Sequence, residues 1–296
     1  MSREDSAVRL PAVDIDTVQR ASGRLPNVIV VGPPRTGTTW LDAVLRGHVG
    51  LPQDVKETQF FKWNYEKGIE WYKWHFRNCP PELPVMEICP SYFNVDMARE
   101  RIKEHIPNCK IICILRDPVE RLYSVYRRYS DFSGFRSFEE MIKDVPDLVE
   151  ASNYIAFIPK WQSSFGKENV SILFYQDLEE MPQKFVNAVC KFIGIPPVNL
   201  RESPVGTTRI NTAPRKPRSR FFGLVGGRIR RWLTAHRFHK TVNLWKKSPF
   251  WNIFFGAGEE EFGPPPAELD RRLREHFRPS VEALEQLTNR ELPAWK

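Results

Sequence analysis

At 296 residues with 41% hydrophobic composition, the chain can bury a substantial core, and the expectation is one large domain rather than two small ones. Its 44 Lys and Arg against 36 Asp and Glu leave a net charge of +8, which suits an anionic cofactor or acceptor and fits nucleic acid or an anionic membrane equally well. No apolar run approaches the ~18 residues of a membrane-spanning helix, and residues 1–26 lack the apolar core of a signal peptide. The five Cys are scattered without a CxxC pair or a Cys/His ligand set. The expectation is therefore a soluble, cytoplasmic chain with reduced thiols, no zinc and no transmembrane anchor, for which peripheral membrane contact stays open.

In chain order, residues 1–26 read as a polar N-terminal extension. Residues 27–46, NVIVVGPPRTGTTWLDAVLR, read as a β-strand running through a glycine-bracketed loop into a helix. Gly32 and Gly37 hold G-x-x-x-x-G spacing, at which backbone N–H groups can surround an anion at a helix N-terminus. An NTPase loop would continue with Lys and then Ser or Thr; here Thr38 and Thr39 follow, and the nearest cation is Arg35 inside the loop. The bound group is thus not expected to be a γ-phosphate.

Further on, residues 109–115 (CKIICIL) and 170–175 (VSILFY) are apolar runs of the kind buried on both faces in parallel sheets. Helical patterns fill 96–105, 119–128, 138–143, 155–165, 182–193 and 268–288, so strand and helix alternate. That rhythm predicts an α/β fold: a parallel sheet flanked by helices on both faces. The first strand run after the loop ends in Arg116-Asp117-Pro118, where Pro118 can occupy the first turn of a helix that carries Ser124. Residues 207–266, rich in Arg, Trp and Phe, break the rhythm and read as a basic aromatic elaboration beside the active site within a domain spanning 27–296.

Pro34 to Trp40 match P-[KR]-[ST]-G-T-[ST]-[WL], the 5'-phosphosulfate loop of sulfotransferases that use 3'-phosphoadenosine 5'-phosphosulfate (PAPS), and the chain resembles that family from about residue 27 to its end. The resemblance implies a P-loop-type sulfotransferase fold, PAPS as sulfuryl donor, 3'-phosphoadenosine 5'-phosphate (PAP) as product, and no metal. It places Pro34, Arg35, Thr36, Gly37, Thr38, Thr39 and Trp40 on the 5' end of the cofactor. Arg116 and Ser124, eight residues apart, fall where the relatives bind the 3'-phosphate, a pairing of guanidinium fork and hydroxyl suited to a dianion. A basic loop often closes over the cofactor in relatives, which makes Arg215 a candidate contact.

Residues 57–61, E-x-x-F-F, followed by Tyr65, Lys67-Gly68 and Trp71-Tyr72, resemble the heparan-sulfate branch, the glucosaminyl N- and 3-O-sulfotransferases and bacterial proteins of that type. On that resemblance Glu57 is the catalytic base and Arg35 the group that meets charge on the bridging oxygen. A carboxylate is apt, because an acceptor hydroxyl or amine loses its proton as it attacks sulfur. Phe60, Phe61, Trp71 and Tyr72 read as packing residues under the loop, and His48, on the helix after the cradle, and His75 as alternative bases. Where the relatives have E-K-[ST]-P-x-Y-F, this chain has Glu87-Ile88-Cys89-Pro90-Ser91-Tyr92-Phe93, so the Lys that works beside the sugar in the polysaccharide enzymes is Ile88 here.

The acceptor stays open between an alcohol, a glycan, a lipid and an amine, and no nucleic acid is expected. Two other classes also remain: a P-loop nucleotide or small-molecule kinase, and a basic membrane or nucleic-acid binding module built on 209–255.

Overall fold

The computed structural model describes residues 23–203, apart from 134 and 136, together with 264–296. Most of the stretch predicted at 207–266, Arg215 included, lies outside the described residues, as do residues 1–22. Of the predicted extension, residues 23–26 are described, and Arg24 donates to the carbonyls of Pro80, Pro81 and Leu83.

The sheet has four parallel strands in the order β2-β1-β3-β4: β1 (Val28–Gly32), β2 (Met86–Ile88), β3 (Lys110–Leu115) and β4 (Val170–Phe174). Because side chains alternate across a strand, the apolar runs supply both faces at once. Ile29, Val31, Ile111, Cys113 and Leu115 point into one buried cluster, whereas Val28, Val30, Ile112 and Ile114 point into the other.

The first cluster is closed by α2 (Phe60–Trp63), α3 (Ile69–Trp74), α4 (Asp96–His105), α5 (Pro118–Ser133), α6 (Phe138–Asp144), α8 (Ile158–Phe165) and the long α11 (Ala267–Thr288); α7 (Pro146–Glu150) follows α6. The second is closed by α1 (Thr38–Leu45), α9 (Tyr175–Glu180) and α10 (Pro182–Ile193). In α11, Leu269, Leu273, Phe277, Val281 and Leu284 recur every turn and are buried, which is the stripe that a sheet-covering helix needs. Helix α10 begins at Pro182 and stops at Gly194, whose φ of 83° and N–H bond to the Cys190 carbonyl end it in the left-handed cap only glycine adopts cheaply.

The strand order reverses at β1: the chain leaves β1 for β2 on one side, then crosses to β3 and β4 on the other. In open α/β sheets a crevice forms beyond the carboxyl ends of the strands at such a point. The loop after β1, Arg116 after β3 and Tyr175 after β4 follow directly from those ends. Element boundaries depart from the sequence expectation in two informative places. Tyr175 opens α9 rather than closing β4, and β2, whose middle residue is a glutamate, has no counterpart among the expected strands. Among the described residues no helix is long and apolar enough to cross a membrane.

Candidate active site

The loop after β1 is shaped by positive φ angles at Gly32 (103°), Arg35 (75°) and Gly37 (82°). A Cβ on Gly32 would come within 2.4 Å of the Pro90 carbonyl oxygen, and one on Gly37 within 2.5 Å of Leu178 Cδ2, so both positions need a residue without a side chain. Thr36 is fully buried between them and its hydroxyl donates to the Pro33 carbonyl at 2.8 Å. The loop thereby delivers Gly37 as the N-cap of α1 with no side-chain cap and no acidic residue in the first turn. The first N–H groups of a helix have no intrahelical acceptor, and with the axial dipole they form an anion site. Pro34, Arg35 and Thr39 are partly exposed, Thr38 is buried, and Trp40 packs edge-on to Phe185 with ring centroids 6.5 Å apart.

Across the crevice, β3 hands the chain to Arg116 and Asp117. Asp117 caps α5 by accepting from the N–H groups of Val119 (2.9 Å) and Glu120 (3.0 Å), and its other oxygen receives Arg274 from α11 at 2.9 Å. Burial raises the Asp117 carboxyl, opposed by those donors. Arg116 is held by its backbone, since the Tyr154 hydroxyl donates to its carbonyl, and its guanidinium lies 3.1 Å from Glu120 and 4.5 Å from the centre of the Tyr175 ring.

Ser124, one face along α5, is buried and accepts from Arg35 Nε at 3.0 Å. The structure thus joins Arg35 to Ser124, a contact between loop and helix, while Arg116 turns to its own helix. Tyr175 connects the two, because its ring carbons would stand 3.2 Å from a Cβ on Gly37 and its face lies under Arg116. Arg290 secures this turn, donating through both terminal nitrogens to Asp177.

On the β2 side, Glu57 is partly exposed, its side chain 28% accessible, and is gripped at both oxygens: Lys56 Nζ at 3.0 Å and Gln59 Nε2 at 2.9 Å. Phe60, Phe61 and Tyr72 are buried beneath it, with Phe60 stacked on Tyr72 at 4.6 Å.

A family model described as "Sulfotransferase domain" matches residues 25–208. The chain belongs to the sulfotransferase family, whose members are enzymes. The sulfotransferase is 32% identical over 209 residues to bifunctional heparan sulfate N-deacetylase/N-sulfotransferase 4 of Mus musculus and, to the same extent, to the corresponding enzyme 3 of Homo sapiens. Each match takes in 62% of this chain but only 24% of the relative, so the chain spans about a quarter of the curated relatives' length. The fold also matches a sulfotransferase from Alicyclobacillus acidocaldarius with a TM-score of 0.64 at 20% identity, over 92% of this chain and 99% of that one.

The alternative bases fare differently from Glu57 in this sulfotransferase. His48 lies in an exposed turn beyond the end of α1 at Leu45, not on the helix as expected. His75 is 5% exposed and wedged edge-on against Trp71 at 4.5 Å and Trp74 at 5.6 Å. Ile88, in the position of the relatives' Lys, is fully buried among Val30, Ile114 and Trp40. Its neighbour Glu87, which matches the Glu of the relatives' pattern without a role assigned to it, is fully buried on the opposite face beneath the Glu57 loop. The available signal was the lone carboxylate in an apolar tripeptide.

Proposed function

We propose that this sulfotransferase transfers a sulfuryl group from PAPS to an acceptor hydroxyl or amine by in-line displacement, with Glu57 as general base. The observation that carries the reading is the Arg35–Ser124 hydrogen bond, which ties the β1 loop to the helix after β3 and so brings two anion-binding elements to one crevice. Their donor chemistry fits a nucleotide phosphorylated at both ends: helix N–H groups and Thr hydroxyls for the 5'-phosphate, a guanidinium and a hydroxyl for the 3'-phosphate.

When bound, the donor supplies an electrophilic sulfur whose leaving group is a phosphate. The protein's part is then positioning and charge. Thr36, Gly37, Thr38 and Thr39, flanked by Pro34 and Trp40, hold the 5' end, and Arg35 faces negative charge growing on the bridging oxygen. Arg116 and Ser124 hold the 3' end. Glu57 accepts the acceptor's proton as it attacks. On this reading residues 27–296 work as one domain.

The heparan-type names of the relatives favour a sugar acceptor, whereas Ile88, buried in an apolar cluster, stands in place of the Lys on which that transfer leans. Alcohol, amine, glycan and lipid acceptors therefore all belong in a PAPS-dependent screen. The direct test of the donor site is thermal stability. PAP at about a hundredfold excess over its Kd adds ~2.7 kcal/mol, and it should raise Tm more than ATP or adenosine 5'-phosphosulfate. Equal stabilisation by ATP with magnesium-dependent ATP turnover would favour a kinase. Salt-sensitive binding of lipid or oligonucleotide with no PAP effect would favour a binding module.

A further inference from the structure

We infer that Glu87 is a positioning residue for the transfer, its buried carboxylate fixing the peptide that follows Glu57 and so the direction in which the base points. The inference rests on Glu57 being the base. Glu87 Oε1 receives the N–H of Thr58 at 3.2 Å and the Thr58 hydroxyl at 2.5 Å, while Oε2 receives Tyr72 Oη at 2.7 Å. Tyr92 Oη stands 3.4 Å from Oε1 and itself accepts from the Phe61 N–H at 3.2 Å. The Thr58 N–H belongs to the peptide bond leaving Glu57, so one carboxylate oxygen orients the backbone on which the base is mounted.

The base's side chain is tied to the same segment by a second route. Gln59, at a left-handed φ of 55°, donates to Glu57 and accepts from Ser91 Oγ at 2.5 Å. A left-handed non-glycine residue persists only where its surroundings enforce it, and here they are Glu87 in β2 and Ser91 in the turn that follows it. Thr58 Oγ1 in turn accepts from the Phe60 N–H at 3.1 Å and Asn64 donates to the Thr58 carbonyl at 2.7 Å, so the grip passes into α2.

Every group directed at Glu87 donates to it: the Thr58 N–H, which can only donate, and the hydroxyls of Thr58, Tyr72 and, at 3.4 Å, Tyr92. The ionised carboxylate accepts from all of them as they stand; protonation, or replacement by Gln, puts a donor at one oxygen position, so that a hydroxyl must turn to accept it and the grip on the Thr58 peptide changes. Among the described residues Glu87 forms no ion pair. Burial lifts its carboxyl to about 7, opposed by the Thr58 and Tyr72 hydrogen bonds and assisted by the charge of Glu57. The other titratable groups around it are Tyr72 on α3, Tyr92 and Cys89 after β2, and Cys109 before β3, all pushed upward by burial and hence neutral across the working range.

A carboxyl raised by folding stabilises the native state fully below its unfolded value of 4.5, and that contribution is lost as pH rises through about 7. The ionised form thus works against stability, and the geometry gives it a use: it is the form that aligns the base.

The test is single-turnover rate against pH at saturating PAPS, with any acceptor found by the screen. The wild type should gain rate as pH rises, with a midpoint near 7, following Glu87 ionisation. Glu87→Gln should lose that step and run on the order of 10-fold slower at pH 8, with PAP affinity unchanged. Thr58→Val, which keeps shape and removes the hydroxyl link, should slow the reaction less and add little to Glu87→Gln in the double variant. If Glu87→Gln does not fold, Thr58→Val decides through its rate and its pH profile. A lower Tm with wild-type rate and pH profile in both variants would reduce Glu87 to a structural role and overturn the inference. Full activity in Glu57→Gln would instead remove the base assignment itself, so the two failures are separable.

Discussion

The loop after β1 and the loop carrying Glu57 solve opposite problems by opposite means. The first takes its backbone shape from its own residues, with Gly32, Arg35 and Gly37 at left-handed angles and Thr36 bonded back to Pro33, while the adjoining helix supplies the binding groups from its own backbone and Arg35 reaches across to Ser124 by a hydrogen bond. The second has short helical turns but a geometry dictated from elsewhere in the chain, through Glu87, Ser91 and Tyr92. A phosphate needs a concavity of N–H groups, which a continuous segment can build. A general base needs one side chain aimed at one point, and a loop achieves that only when a rigid element beneath it bears the strain. The difference predicts that damage to the first region appears in cofactor affinity and damage to the second in the rate of chemistry.

The largest expected effect tests that division at the base. Glu57→Gln keeps the size of the side chain and much of its hydrogen bonding to Lys56 and Gln59 while removing the proposed proton acceptor, so on that proposal the chemical step should slow by about 100-fold or more. PAP affinity should hardly change. Single-turnover kinetics beside calorimetric Kd values separate the two quantities. Loss of PAP binding in this variant would place Glu57 in the cofactor site and erase the contrast between the loops.

Much of the cradle was legible in the sequence because its information is contiguous: glycine spacing, an apolar strand before it and an amphipathic helix after it. Helices α4 and α10 likewise fall where their patterns put them, and α10 carries its own Pro start and Gly stop. What was illegible is long-range. Strand β2 is three residues with a glutamate at its centre, so it shows neither alternation nor an apolar run, and only the partner Thr58, 29 residues away, reveals why a charge is buried there. The Arg35–Ser124 contact spans 89 residues and cannot be read from either motif alone. The engagement of Arg116 with Glu120 is different, since an i,i+4 pair of opposite charges could have been read directly.

On the cofactor side, Arg116→Ala should weaken PAP roughly 10- to 100-fold, the range expected when one charge-assisted partner of a dianion is removed. Adenosine 5'-phosphate, which lacks the 3'-phosphate, should be nearly unaffected, and single-turnover rate at saturating PAPS should stay within a few-fold of wild type. Titration of both nucleotides into both proteins checks this. Equal weakening of the two would mean that Arg116 supports the crevice through its cover over Tyr175 rather than by meeting the 3'-phosphate.

The smallest effect concerns Glu120, and it sharpens what Arg116 is doing before any ligand arrives. The Arg116–Glu120 pair is 3.1 Å long, with the Glu side chain 54% exposed, so its own contribution to stability lies in the range of about 0–1 kcal/mol for solvent-screened pairs. A 3'-phosphate must draw the guanidinium from this partner and must also accept a carboxylate nearby. Glu120→Gln removes both penalties, so PAP should bind up to about 5-fold more tightly at low salt, the equivalent of ~1 kcal/mol, with the gain shrinking as ionic strength rises. Adenosine 5'-phosphate should show no such gain. Weaker PAP binding in Glu120→Gln would mean that the carboxylate orients Arg116 for the phosphate instead of competing for it, and the 3' side would then be pre-set by a neighbour much as the base loop is.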